Sequence, residues 1–202
     1  MNLTFKKYRA IDLTIFSVLS VVLEALIVLA SNEWFPGVIY TLSLSVTVTS
    51  IVMVRWGLWA AIPALLSGVT VVGVYYLGGV AVGLDTVLIY LVGNLFMLFG
   101  YGFIRLVGRA RIEDKKGFMS YLYVLIVYLL LLIGKTIVAV CMGKGFMIIA
   151  NFNFAECTSL IIALLAVFVA KRQEGLFVDQ MTYLLELEKK RLEEEKNAQD
   201  LL

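Results

Sequence analysis

Six apolar runs divide the chain, at residues 11–31, 37–54, 57–82, 84–107, 119–142 and 146–170. Each approaches the roughly 20 residues that a helix needs to cross about 30 Å of hydrocarbon. In lipid, only helices and closed barrels satisfy their own backbone, and these runs are too long for barrel strands. The pattern predicts an all-α membrane protein with six transmembrane helices. The first run resembles a signal peptide, because Lys6, Lys7 and Arg9 precede it. Its apolar stretch is longer than the roughly 7–15 residues of a signal h-region and is interrupted by Glu24, so a retained helix is expected.

Beyond residue 172 the pattern changes. Leu176, Phe177, Met181, Leu184, Leu185 and Leu192 approximate one helical face, followed by charges with Glu186 and Lys190 at i and i+4. The chain therefore divides into a membrane domain, residues 1–172, and an amphipathic helical tail, residues 173–202. Lys and Arg accumulate before the first run, between the second and third, between the fourth and fifth, and after the sixth. By the positive-inside rule both termini and the tail are cytoplasmic.

Finer punctuation refines the spans. Residues 31–37, SNEWFPG, read as a tight external loop, with Pro36 opening the second helix and Trp34 either an interface anchor or a lid over a ligand. The hydroxyls of Ser43, Ser45, Thr47, Thr49 and Ser50 are expected to bond to the preceding turn or across helices. Gly57, Ala60, Ala64 and Gly68 form a small-residue stripe suited to close helix packing, internal or against a partner, and Pro63 within it predicts a kink. The glycine-rich loop LGGVAVGLD before the fourth helix suits a mobile external gate, with Asp85 as an N-cap.

Composition excludes several chemistries. The chain is 61% hydrophobic and 16% charged, and its net charge of +2 is accounted for by topology without a nucleic-acid partner. It has no histidine, no GxSxG nucleophile elbow and no GxxxxGK[ST] phosphate loop, so neither a histidine metal site, triad chemistry nor ATP binding is expected. No metal or cofactor is expected. Cys141 and Cys157, without a CxxC spacing, read as inert buried thiols.

Ionisable residues inside hydrocarbon mark a binding site or pathway by default. Glu24 and Lys135 each lie seven residues before the outer end of their span, a depth of about 10 Å. Asn94 and Glu156 lie about 15 Å down from the same side, and Asn151 and Asn153 about 8–10 Å. Lys135 and Glu156 sit on spans joined by a short hairpin and form a natural ion pair, either structural or in contact with a ligand. With Asn94, Asn151, Asn153, Tyr90, Trp34 and Glu24 they make up the candidate binding layer; Glu24 has no evident partner.

Three segments, MVRWGLWAAIPALLSG, IYLVGNLFMLFG and VAKRQEGLFVDQMTYLL, together with the size of the chain, carry a further signal. On these the chain resembles the substrate-binding S component of energy-coupling factor (ECF) vitamin transporters, in a subgroup without an assigned substrate. The resemblance implies a multi-pass protein of the bacterial cytoplasmic membrane. It would capture a small water-soluble vitamin or precursor outside and deliver it with a transmembrane T component and two ATPases, performing no catalysis itself. Many members dock through an Ala-x-x-x-Ala face on the first helix, where this chain has only Ser17 and Ser20. Docking is therefore expected to involve Ser17 and Ser20 with Ala60 and Ala64. The rival expectation is a membrane sensor or scaffold that signals through its C-terminal helix.

Overall fold

The computed structural model describes residues 3–34, 42–145 and 148–199. Among these, every regular element is helical: α1 (Leu3–Trp34), α2 (Ser45–Trp56), α3 (Ala61–Leu77), α4 (Leu84–Leu95), α5 (Gly100–Val107), α6 (Arg109–Glu113), α7 (Met119–Cys141), α8 (Ile148–Arg172) and α9 (Gln180–Gln199). Four described segments are long and apolar enough to cross a membrane: Phe5–Ser31, Ser45–Leu77, Leu84–Val107 and Met119–Cys141.

Polarity along these helices is inverted relative to a water-soluble bundle. On α1, Ile11, Ile15, Val22, Leu26 and Leu29 are exposed, whereas Ser17, Ser20 and Glu24 are buried. On α7, Leu129, Ile133 and Ile137 face out while Lys135 is buried. An apolar exterior around a polar interior is what hydrocarbon selects, because only the inward face can offer a polar group a partner.

At the centre stands α2, buried along its whole length and packed against α1, α3, α7 and α8. Its Val46, Val52 and Met53 join Met97, Tyr123, Val127, Leu131, Ala163 and Val167 in one core. The Tyr123 hydroxyl donates to the Ser50 carbonyl at 3.0 Å. Of the five hydroxyls expected to bond locally or across helices, Ser43 does so, with the Ser45 N–H and with Glu24, whereas those of Ser45, Thr47, Thr49 and Ser50 find no partner among the described residues. Their use is steric, since small side chains let four helices close on α2.

Several sequence expectations shift. Helix α1 runs through Trp34 rather than ending at a loop from residue 31. No loop separates α2 from α3; a 3-10 turn, Gly57–Ala60, redirects the chain, with Gly57 at φ +62° where only glycine is unstrained. Pro63 falls in the first turn of α3, where its missing N–H costs no helical bond, so it opens the helix instead of kinking it. Most consequentially, α2 begins at Ser45, and Leu42, Ser43 and Leu44 before it are not helical. The expected start at Pro36 lies outside the described residues. Twelve residues reach about 18 Å, so α2 is a half-helix whose N-terminus opens inside the protein.

The cytoplasm-assigned end is closed by a clasp that pattern reading passed over. Arg55 donates from Nε and Nη2 to the two oxygens of Asp12, at 2.9 and 2.8 Å. Its Nη1 donates to the Gly175 and Leu176 carbonyls at 2.7 and 2.9 Å, and the Trp56 indole also donates to Asp12. The stretch after α8 is thus a strap. Phe177 and Gln180 are buried, and Asp179 pairs with Arg109 while its N–H donates to Glu113 at 2.9 Å. The tail helix begins only at Gln180, so Leu176 and Phe177 belong to this strap and not to an amphipathic face.

Candidate functional site

Glycine sets the approach of the helices that carry the site. A Cβ on Gly93 of α4 would lie 2.8 Å from Lys135 Cγ and 3.0 Å from its Cα. A Cβ on Gly68 of α3 would lie 2.6 Å from the Tyr90 carbonyl oxygen. Bare backbone at these two positions draws α3, α4 and α7 together and brings Lys135 against α4.

Lys135 and Glu156 form a buried salt bridge through Glu156 Oε1. The Lys135 ammonium also stands 4.8 Å from the centre of the Tyr90 ring, a cation–π contact. Glu156 Oε2 is buried and has no hydrogen-bond partner among the described residues.

Glu24 has a partner after all, and it is backbone. Its Oε2 accepts the Leu44 N–H at 3.0 Å, and the Ser43 hydroxyl bonds to the same carboxyl. Just alongside, the Ser43 N–H donates to Ser159 Oγ at 2.9 Å. The first N–H groups of a helix have no intrahelical acceptor and carry the positive end of its dipole, so a carboxylate there serves as an anionic cap. Glu24 is buried because the N-terminus of half-helix α2, which it caps, lies inside the protein.

These groups meet at one narrow cavity of about 20 Å³, lined by Glu24, Glu156, Ser43, Tyr75, Tyr90 and apolar neighbours. That is room for on the order of one water. Next to it a wider vestibule of about 290 Å³ is lined by residues 80–82, Thr86, Ile89 and Lys144. Tyr75 and Tyr90 line both spaces. Their rings meet edge to face, centroids 6.2 Å apart, and form the wall between them. Lys144 pairs with Asp85, which ties the α7–α8 turn to the first turn of α4. Gly83 occupies the N-cap position expected of Asp85. A larger groove of about 670 Å³ runs between α1 and α3, apolar apart from Lys6, Arg9, Thr14 and Ser17, and no buried charge lines it.

The structure thus brings together Glu24, Lys135, Glu156 and Tyr90. Asn94 is buried but serves elsewhere, donating to the Ala64 carbonyl at 3.2 Å and so joining α4 to α3. Trp34 is 75% exposed and lines none of these spaces, so it is not a lid here. The side chains of Asn151 and Asn153 lie outside the described residues. Ser17, Ser20, Ala60 and Ala64, expected on a docking face, are buried; small residues there let α1 and α3 pack against α2 and against each other. Cys141 and Cys157 are exposed rather than buried. Sequence reasoning read Ser43 only as a helix-packing hydroxyl and missed Tyr75 and Ser159. Ser159 was the more legible of the two, standing three residues after Glu156 on one helical face.

Fold and site together define a protein that is helical throughout its described elements, with segments long and apolar enough to cross a membrane and a pocket between its helices lined by two carboxylates. No protein-family model, curated protein or solved structure matches this chain.

Proposed function

We propose that this chain is the substrate-binding subunit of an ECF-type importer in the bacterial cytoplasmic membrane. It crosses six times with both termini inside, takes a small water-soluble vitamin or precursor from outside, and performs no covalent chemistry. A T component and two ATPase subunits complete the transporter. The observation that carries this reading is the buried Lys135–Glu156 pair beside Glu24 in one pocket. Intramembrane charges are costly, and a pocket with a few convergent polar groups is the usual form of a solute site. The pocket lies at the end of α1 remote from Lys6, Lys7 and Arg9, the end that the basic residues assign to the outside.

The test is a thermal-shift screen of the purified protein against water-soluble vitamins and their precursors, since a ligand stabilises the state that binds it. At least one compound should raise the melting temperature of the wild type and leave that of folded Glu156→Ala and Lys135→Ala proteins unchanged. A blank screen, or full stabilisation in both variants, removes the assignment.

A second reading, a membrane sensor or scaffold acting through α9, draws on the exposed Met181, Leu185 and Leu192 of that helix. Because Phe177 and Gln180 belong to the core, the discriminating truncation removes residues 184–202 and leaves the strap. Uptake lost with binding intact assigns α9 to coupling. Unchanged uptake, with a lost response in a cytoplasmic partner, favours the sensor.

A further inference from the structure

The two positive features beside the cavity are already occupied. The Lys135 ammonium is engaged by Glu156 Oε1, and at the start of α2 the N–H of the N-cap Leu44 is engaged by Glu24 and that of Ser45 by the Ser43 hydroxyl. Against these stand two carboxylates lining one space. The helix end is answered by Glu24 and the ammonium by Glu156 Oε1. Glu156 Oε2, buried and without a hydrogen-bond partner among the described residues, is the acceptor left open. Lys144 in the vestibule lining does not alter this, because it is paired with Asp85. Among the described residues an arriving anion finds no free cation in these linings, whereas an arriving N–H donor finds an unanswered acceptor.

Shape adds a second requirement. The inner cavity holds about one water, and the vestibule is more than ten times larger, 290 against 20 Å³. Only the Tyr75 and Tyr90 rings are shared by both linings. A rotation of these rings merges the two spaces, and a flat body then lies along the tyrosines with its polar end toward Glu156.

We infer that the pocket selects a planar solute bearing a protonated nitrogen, an amidinium or ammonium on an aromatic or similarly flat body, with Glu156 as its counter-ion and Tyr75 and Tyr90 as its gate. This rests on the solute-binding reading above and specifies its chemistry.

Three isosteric probes of different charge separate the possibilities: benzamidine (cation), benzamide (neutral) and benzoate (anion). Melting is followed for the full-length protein in detergent. Benzamidine near 100 times its Kd should raise the melting temperature by roughly 5 °C or more, with the other two inert. Because Glu156→Gln alone leaves Lys135 buried and unpaired, the paired variant Lys135→Met/Glu156→Leu supplies the folded control, and it should lose the benzamidine response. Stabilisation by benzamide or benzoate equal to that by benzamidine overturns the cation preference but leaves a solute pocket standing. Benzamidine stabilisation that persists in the paired variant places the cation elsewhere and overturns the site. No response to any probe overturns the inference; the solute-binding reading falls with it only when the vitamin screen is also blank.

Discussion

At the scale of single residues, the three intramembrane charges have partners of different kinds. Lys135 holds Glu156, and Glu24 holds a helix terminus. Removing one member of a buried pair leaves the other charge uncompensated, which costs about 3–5 kcal/mol, while replacing both with apolar residues is often neutral. Lys135→Met should therefore unfold at markedly lower denaturant, and adding Glu156→Leu should restore most of the loss. A double-mutant cycle by chemical denaturation in mixed micelles measures the coupling. Gly93 admits a similar test, since its added Cβ would meet Lys135 Cα and N at 3.0 and 3.1 Å. Gly93→Ala should destabilise by about 1–3 kcal/mol, the range for overpacking a tight contact, and should also move the Lys135 ammonium off Tyr90, weakening binding of any ligand that uses Glu156.

Elements show why some of the site was legible in the chain and some was not. Lys135 and Glu156 were legible because charges stand out in apolar runs, and because a short hairpin brings their helices side by side. The partner of Glu24 was not, because it is a backbone N–H: no side-chain pattern reveals that α2 starts eight residues after its apolar run begins. Asn94 shared the depth of the site but not its direction; rotation about a helix axis is set by packing at Gly93 and Gly68, which depth arithmetic ignores. Asp12 and Arg55 escaped notice because they lie at span ends, where a charge reads as topology.

The strap gives this scale a pH test. Burial raises the Glu113 carboxyl above its ordinary 4.5, outweighing the Asp179 N–H that favours its charged form. A carboxyl that holds its proton more tightly when folded stabilises the fold below about pH 4.5, and that contribution is lost as pH rises through the folded value. Glu113→Gln keeps an acceptor for Asp179 and removes the titration. Relative to wild type the variant should be more stable at pH 7 than at pH 4, by thermal melts at the two values; an offset independent of pH would contradict the assignment.

For the molecule as a whole, burial places polar groups inward at both ends. One end holds the pocket, the other the Asp12–Arg55 clasp, and the fully buried α2 connects them, capped by Glu24 at its start and carrying Arg55 near its finish. Arg55→Lys keeps the charge but loses the two-pronged fit to Asp12 and at least one carbonyl bond. At about 1 kcal/mol per hydrogen bond, and more for charged ones, it should cost roughly 2–4 kcal/mol. Limited proteolysis should then cut within residues 173–179, which the wild type protects.

The clasp also bears on biogenesis. Asp12 and Arg55 leave the ribosome early, but the carbonyls of Gly175 and Leu176 that complete the Arg55 shell emerge some 120 residues later. Until then a guanidinium near the membrane face is short of two acceptors. A nascent chain halted before residue 175 leaves that guanidinium short of both carbonyls, so this end of the molecule closes only once the strap has been made.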